Sequence, residues 1–206
     1  MTAQFKAIFS SFILIDQLEN DLDNDAILAH CYHKRNDDQR IQYEGGWSSG
    51  HLPLADLDSE PLAQLKTEIN KRIAIVREEL GVKPNVQHEI RNYWANIFSP
   101  TGRYKIPAQP PHIHANYFLS CVYYPKAEER AGDIVLMCPF NAMESTLPFK
   151  HIEKHTFFNA SRWIIKPEPA KLIIFPSWIM HYVEDNNSDA DRVSMAFNIS
   201  LPQVDL

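Results

Sequence analysis

The sequence predicts a mainly β protein with N-terminal helices: a double-stranded β-helix, or jelly roll, supported by one long helix. Three observations predict this fold. Two segments within residues 1–86 show helical periodicity, the chain from residue 87 onward consists of short β-branched and aromatic runs, and Pro, Gly, Asp and Asn separate those runs. Short strands divided by turn signals are typical of a sandwich or barrel. With 206 residues we expect one core and a single domain over 1–206.

The N-terminal part begins with an apolar patch at 8–15, which is too short to span a membrane. We interpret it as a first or edge strand. Asp23 or Asn24 is a suitable N-cap for a first helix over 25–34. The glycine- and serine-rich segment 45–50 is interpreted as turns.

The second helix has the clearest pattern in the chain. Ser59 and Pro61 mark its start, and Gly81 supplies its C-terminal stop. Apolar residues recur at helical spacing along it: Leu62, Leu65, Ile69, Ile73, Val76 and Leu80. We expect this helical part, 1–86, to pack on a β-helix core over 87–201. The strands predicted there are 88–98, 117–124, 133–137, 156–158, 161–166, 172–175, 181–184 and 192–201.

Composition and charge exclude some classes of partner. The net charge of −6 argues against a general nucleic-acid or anionic-membrane surface, because such binding needs clustered Lys and Arg. The three cysteines show no C-x-x-C spacing: Cys31, Cys121 and Cys138. An odd number without a framework fits a reducing compartment, so we expect a cytoplasmic protein.

Three histidines in the β part form a candidate metal site. His112 and His114 are two residues apart, so on an extended strand their side chains share one face. An H-x-H pair alone is a weak signal, since many such pairs are surface residues. His181 follows an apolar run and a turn, so we expect it to open another strand across the barrel and complete a facial cluster of imidazoles.

An Arg-x-Ser pair follows the third histidine. Strand alternation places four side chains on one face: Arg192, Ser194, Ala196 and Asn198. A guanidinium that faces into a small barrel needs an anion as its partner. That anion is either a bound carboxylate, held as in a bidentate clamp, or a nearby acidic residue, namely Asp133, Glu184 or Asp185.

The ordered set of motifs resembles the iron(II)- and 2-oxoglutarate-dependent oxygenases, and is most similar to a small branch found in bacteria and phages. The resemblance covers about Gly45 to Ile199. The segments that carry it are Gly45-Gly46-Trp47-Ser48-Ser49, Tyr93-Trp94-Ala95-Asn96, His112-Ile113-His114, Ser120-Cys121-Val122-Tyr123-Tyr124, Gly132-Asp133-Ile134, Phe175-Pro176-Ser177-Trp178, His181, Arg192-Val193-Ser194 and Phe197-Asn198.

The resemblance implies a double-stranded β-helix, bound Fe(II), 2-oxoglutarate and O₂ as cosubstrates, and succinate and CO₂ as products. It implies that His112 and His181 are iron ligands. Further residues match positions that bind the cosubstrate: Arg192, Ser194 and Tyr124 at its C5 carboxylate, with Asn116 and Asn198 as lesser candidates.

One position departs from the family pattern. The usual first motif is His-x-Asp or His-x-Glu, and here His114 stands in the third place. A third imidazole raises the net charge of the centre and can suit other metals. Either His114 coordinates the metal, which we favour, or water fills that position.

Two other functions fit part of the pattern. A cupin-type metalloenzyme without 2-oxoglutarate also uses H-x-H and a distant histidine, but 115–119 lacks the glutamate expected there. A non-catalytic β-sandwich binding module would use the histidines structurally. For the leading function, an oxygenase and most simply a hydroxylase, the substrate is a small molecule or peptide side chain, and an edge strand leaves room for a homodimer. Weak candidates for substrate contact are Trp47, Trp94, Asn96 and Trp178.

Overall fold

A computed structural model of the chain describes residues 4, 6, 8, 10–19, 22–37, 42–43, 46–100, 109–140, 149–156 and 158–202. Within these residues lie two α-helices, α1 Asn24–Asp37 and α2 Leu62–Glu79, and two short 3-10 helices, Leu54–Asp58 and Phe149–His151. The same residues form eleven strands: β1 Leu14–Gln17, β2 Gln42–Tyr43, β3 Gly46–Ser48, β4 Glu89–Phe98, β5 Gln109–His112, β6 Leu119–Lys126, β7 Ile134–Met137, β8 Arg162–Ile165, β9 Lys171–Pro176, β10 His181–Val183 and β11 Arg192–Ser200.

The described strands form two antiparallel sheets that pack against each other. The larger sheet has the order β1-β9-β6-β11-β4-β3-β2, and the smaller has the order β5-β10-β7-β8. Apolar side chains of β6 and β9, including Val122 and Ile173, form one buried cluster with Ile134 and Ile165 of the smaller sheet. This arrangement confirms the predicted mainly β fold, and it leaves a cavity between the sheets.

The helices pack on the larger sheet, as predicted. One buried cluster contains Leu65, Ile69 and Ile73 of α2 together with Tyr93 and Phe197 of the larger sheet. Helical spacing brings every third or fourth residue to the same side of α2. These apolar side chains are therefore all buried when that side packs on the sheet.

Local sequence signals set the start of α1 and the end of α2. The Asp23 carboxylate accepts a hydrogen bond from the Ala26 N–H at 3.0 Å, so Asp23 provides the side-chain cap of α1. Gly81 follows α2 with a φ of 67°, a left-handed conformation that favours glycine. Both boundaries lie close to those that the sequence predicts.

The structure corrects two local predictions. Thr156 begins a turn rather than a strand, because its carbonyl accepts the N–H groups of Asn159 and Ala160. Gly46–Ser48 forms β3 instead of turns, since Trp47 is buried and pairs with Ile97 of β4. Gly45 of the predicted turn segment 45–50 and residue 157 of the predicted strand 156–158 lie outside the described residues.

β5 was absent from the strands predicted from the sequence. It contains Pro110 and Pro111, which the pattern marks as turn residues. In the structure β5 lies at the edge of the smaller sheet, where proline is tolerated, and a register shift interrupts its pairing with β10 between His112 and Gln109. Among the helices of the described residues, none has both the length and the apolar character needed to cross a bilayer.

Candidate active site

Three histidines converge at one end of the cavity. His112 ends β5, His114 lies two residues beyond it, and His181 begins β10. β5 and β10 are neighbours in the sheet, and His112 pairs in register with His181. The three side chains can each offer a ligand nitrogen, and those atoms all lie within 4.8 Å of one another. The third histidine therefore comes from the adjacent strand, not from a strand across the barrel as the sequence suggested.

The backbone fixes the orientation of two of these rings. His112 Nδ1–H donates to the Pro110 carbonyl at 2.7 Å, and His181 Nδ1–H donates to the Ile179 carbonyl at 3.0 Å. A carbonyl can only accept, so Nδ1 carries the proton in each ring and Nε2 keeps a lone pair. This is the arrangement by which proteins orient an imidazole toward a metal.

One turn holds two parts of the histidine cluster in place. The turn after β9 contains Ser177, whose carbonyl accepts the backbone N–H of His114 at 3.0 Å. Ile179, in the same turn, is the residue that binds the His181 ring. The segment that contains Ser177 and Trp178 thus links β9 to β10 and joins His114 to His181.

Burial keeps two rings of the cluster, those of His181 and His114, in the neutral form. His181 is 4% exposed, and desolvation lowers its pKa to about 3. Desolvation likewise lowers the pKa of His114 to about 4. Metal binding requires neutral imidazole, so both rings are in the competent form at neutral pH.

The donor set fits Fe(II). Imidazole nitrogen suits Fe, as well as Zn, Cu and Ni. Within the part of the chain that the structure describes, no other group of three His, Cys, Asp or Glu side chains has ligand atoms this close together. The His112 and His114 rings meet edge to face, with centroids 5.1 Å apart. The His181 ring is tilted against both, with centroids 4.3 Å from His112 and 5.1 Å from His114.

A cavity that is open to solvent on one side adjoins the histidines. Both sheets contribute to its wall. The larger sheet supplies Trp94, Asn96, Phe98, Tyr124, Arg192 and Ser194, and the smaller sheet supplies Gln109, Ile134, His181 and Val183.

Arg192 lies in this cavity wall and is 1% exposed. Its Nη1 donates to three backbone carbonyls: Ala131 at 2.7 Å, Gly132 at 3.1 Å and Glu184 at 3.0 Å. The guanidinium forms no ion pair with a carboxylate of any described residue, although Asp133 and Asp185 lie near enough to act on it electrostatically. Burial lowers the pKa of Arg192, but an arginine side chain stays charged in proteins.

Several hydrogen-bond donors in the cavity wall have no acceptor among the described residues. Nε and Nη2 of Arg192 donate to no described residue, and neither do the hydroxyls of Tyr124 and Ser194. Burial raises the pKa of Tyr124 to about 12, so its hydroxyl keeps the proton that it can donate. Phe98 stacks on the guanidinium at 5.0 Å and restricts it from the other side. The ion-pair alternative for Arg192 is thereby disfavoured, and the group is arranged to receive an anion.

Comparison with known proteins identifies the family. The family model described as "Putative 2OG-Fe(II) oxygenase" matches residues 92–198, a span that holds the three histidines, Tyr124 and Arg192. The chain belongs to the 2OG-Fe(II) oxygenase family. The protein is therefore an oxidoreductase that uses Fe(II) and 2-oxoglutarate. This assignment replaces the cupin-type and non-catalytic alternatives.

Solved structures show the same fold. An oxidoreductase of the 2OG-Fe(II) oxygenase family from Burkholderia pseudomallei aligns with 15% identity and a TM-score of 0.57, over 91% of this chain and 84% of that one. A prolyl-4-hydroxylase from Pseudomonas putida aligns with 12% identity and a TM-score of 0.57, over 91% and 92%. The epimerase SnoN, in complex with Fe³⁺, α-ketoglutarate and nogalamycin RO, aligns with 12% identity and a TM-score of 0.61, over 91% and 78%. No curated protein matches the chain in sequence.

Two predicted cosubstrate residues of the oxygenase are not part of the cavity lining. Asn198 is buried at the far end of β11, where its Oδ1 accepts a hydrogen bond from Ser120 Oγ at 3.3 Å. Asn116 is exposed in a turn with a φ of 71°. Neither residue is part of the cavity lining.

Of the four residues predicted to contact substrate, two line the cavity and two do not. Trp94 and Asn96 line the cavity. Trp47 belongs to the hydrophobic core, and Trp178 is 53% exposed outside the cavity lining. Phe98 was missed from the sequence, although strand alternation puts it on the same face as Trp94 and Asn96.

Gly132 is predicted to be essential for the position of Arg192 in the oxygenase. Gly132 has a φ of 90°, and a Cβ there would lie 2.6 Å from Arg192 Nη1 and 2.3 Å from the Glu184 carbonyl oxygen. Gly132→Ala must displace the guanidinium, so we expect the Kd for 2-oxoglutarate to rise by about tenfold to a hundredfold. Anaerobic isothermal titration calorimetry of the Fe(II)-loaded protein with 2-oxoglutarate measures this Kd.

Gly81→Ala is the matched control for this experiment. Gly81 also has a positive φ, but nothing lies within 4 Å of a Cβ built there. We expect it to reduce stability through backbone strain and to leave the Kd unchanged. Equal effects of the two substitutions on the Kd would show that Gly132 has no specific part in positioning Arg192.

Proposed function

We propose that the oxygenase holds Fe(II) on His112, His114 and His181 and binds the far carboxylate of 2-oxoglutarate through Arg192, with Ser194 and Tyr124 beside it. The reaction is the hydroxylation of a small molecule or a peptide side chain. One observation carries the proposal: the histidine cluster and the guanidinium without a carboxylate partner open onto the same cavity.

Each group of the chain has a separate task in this reaction. Iron with 2-oxoglutarate and O₂ supplies the oxidising power, and the oxo acid leaves as succinate and CO₂. Nε2 of His112 and of His181 would hold the metal, because backbone carbonyls accept their Nδ1 protons. Arg192 keeps its charge in a dry wall, where it attracts a carboxylate more strongly than it would in water.

The wall of the cavity restricts what reaches the metal position. Phe175 packs against the His181 ring with centroids 4.9 Å apart, and Val122 and Ile134 complete the apolar lining. Water is excluded from this side, which protects a reactive centre from side reactions. Trp94 packs against the His114 ring and offers a surface for the substrate. Asn96 also lines the cavity and pairs in register with Ser194 of β11.

The compartment, domain structure and partners of the protein belong to the same proposal. Cys31, Cys121 and Cys138 are free thiols, which supports a reducing, cytoplasmic location. One hydrophobic cluster joins the helices to the larger sheet, which supports a single domain. The net charge of −6 supports a substrate other than nucleic acid. In the described part of the smaller sheet β8 pairs with β7 alone, which leaves an edge for a homodimer.

Succinate formation tests the proposed function. Iron-loaded protein mixed with 2-oxoglutarate under air is expected to release succinate and CO₂ in equal amounts, slowly without substrate. Protein treated with a chelator is the control and is expected to release neither. Iron-loaded protein that gives no more succinate than the chelated protein would contradict the proposal.

A further inference from the structure

The turn that joins the histidine cluster is attached to the larger sheet by a buried serine. Ser177 is 0% exposed, and its N–H donates to the Phe118 carbonyl at 3.2 Å, directly before β6. The Ser177 carbonyl accepts the His114 N–H at 3.0 Å. Ile179, whose carbonyl binds the His181 ring, lies two residues further in the same turn. A displacement of Ser177 therefore displaces both His114 and the support of His181.

A chain of three buried polar side chains continues from this turn into the larger sheet. The Ser177 hydroxyl lies 2.9 Å from Ser120 Oγ on β6, and Ser120 Oγ donates to Asn198 Oδ1 on β11 at 3.3 Å. An amide oxygen can only accept, so the Ser120 proton points to Asn198 and the Ser177 hydroxyl donates to Ser120. The hydrogen bonds therefore run in one direction, from the turn to β11.

This hydrogen-bond chain connects the two sheets. β6 and β11 belong to the larger sheet, whereas His112 and His181 lie on β5 and β10 of the smaller one. A buried hydroxyl or amide that loses its partner costs free energy, so each member of the chain holds its neighbour in place. Asn198 is outside the cavity lining, and its side chain reaches the turn by way of Ser120.

We propose that Asn198, Ser120 and Ser177 are positioning residues of the metal centre. Through this chain β11 fixes the turn, and the turn fixes the backbone of His114 and the ring of His181. Loss of a member lets the turn shift and weakens metal binding, although all three ligands remain. The inference rests on the proposed function, because it requires a metal ion on the three histidines.

The Fe(II) affinity of variants tests this chain. Anaerobic titration with Fe(II) measures the Kd, and thermal unfolding shows that each variant is folded. Asn198→Ala is expected to raise the Kd by about tenfold, as the loss of outer partners of metal-binding histidines does. Ser120→Ala should raise it at least as much, because it removes both hydrogen bonds of the chain. A wild-type Kd in folded Asn198→Ala would overturn the inference.

The double variant shows whether the two residues act through one chain. In the Ser120→Ala background the substitution Asn198→Ala is expected to change the Kd no further, because the connection to the turn is already broken. If the two effects on the Kd multiply instead, the residues act separately and the proposed chain is wrong.

Tyr123→Phe is the matched control, since it removes one hydrogen-bonded hydroxyl from the same strand as Ser120. That hydroxyl donates to Asn24 Oδ1 of α1 at 2.7 Å, from the opposite face of β6. The substitution should lower stability and leave the Kd for Fe(II) unchanged. Equal rises of the Kd in Tyr123→Phe and Asn198→Ala would show general destabilisation and overturn the inference.

The metal-free protein provides a second measurement. The His114 N–H is bonded to the Ser177 carbonyl, so its rate of hydrogen exchange reports how firmly the turn is held. Measured by NMR, this amide is expected to exchange about tenfold faster in Asn198→Ala and at the wild-type rate in Tyr123→Phe. An unchanged rate in Asn198→Ala would show that the chain does not hold the turn and would overturn the inference.

The two proposals fail in different ways. If the wild-type protein does not bind Fe(II), the proposed function is wrong and the positioning role is wrong with it. If wild type and Asn198→Ala bind Fe(II) equally tightly, the proposed function stands and the positioning role is wrong.

Discussion

His181→Ala protein is expected to bind Fe(II) more than about 100-fold more weakly than wild type and to form no succinate above the iron-free level. The physical reason is that His181 is the most buried of the three histidines. Its ring is fixed by the Ile179 carbonyl, and its backbone pairs with His112. Without it two half-buried imidazoles remain, and two neutral ligands hold Fe(II) poorly. Anaerobic titration with Fe(II), followed by metal analysis after gel filtration, measures the loss.

His151→Ala is the matched control for this variant. His151 is exposed and ends the short 3-10 helix Phe149–His151, away from the cavity. Its removal should change neither iron content nor turnover. Thermal unfolding of both variants shows whether the fold is intact. Stoichiometric iron in folded His181→Ala, or equal losses in the two variants, would contradict the assignment of the metal site.

Arg192→Ala is expected to bind iron like wild type and to lose most of its affinity for 2-oxoglutarate. Removal of one partner of a buried hydrogen-bonded charge pair costs about 2–5 kcal/mol, so the Kd should rise by a factor of about 30 or more. Arg192→Lys should not restore binding, since an ammonium group cannot both contact three carbonyls and present two further donors to a carboxylate. Anaerobic isothermal titration of the Fe(II)-loaded variants with 2-oxoglutarate measures the Kd.

Arg91→Ala is the control for the loss of one positive charge. Arg91 is exposed on β4 and pairs with Glu89. Its removal should leave the Kd for 2-oxoglutarate within a factor of about two, because exposed ion pairs contribute little. If Arg192→Ala bound 2-oxoglutarate as tightly as wild type, the carboxylate clamp would be wrong, and a metal centre without that cosubstrate would regain support.

The side chains of the site could be predicted from the sequence because strand alternation is local. His112 and His114 share a face, and so do Arg192 and Ser194, whatever the neighbouring strands are. The adjacent position of β10 could not be predicted, since β5 reads as a proline-rich turn until its pairing with His181 is seen. For the same reason the sequence suggested a third ligand from across the barrel.

Alternation does not show how far along a strand the cavity extends. Asn198 lies six residues beyond Arg192 on β11 and is not part of the cavity lining, and Ser120 Oγ donates a hydrogen bond to its Oδ1. Asn116 follows the histidines, yet its positive φ turns the chain out to solvent. The carbonyls that hold Arg192 come from two loops, and their positions depend on tertiary structure that no local pattern contains.

The most direct test of the account is an anaerobic titration in which 2-oxoglutarate is added to Fe(II)-loaded protein and the visible spectrum is recorded. A weak charge-transfer band is expected to rise to saturation at one equivalent of 2-oxoglutarate. The band should be absent in His181→Ala, and in Arg192→Ala it should require far more 2-oxoglutarate. If Fe(II) and 2-oxoglutarate both bind and no band forms, the metal and the cosubstrate do not share the cavity, and the central claim is wrong.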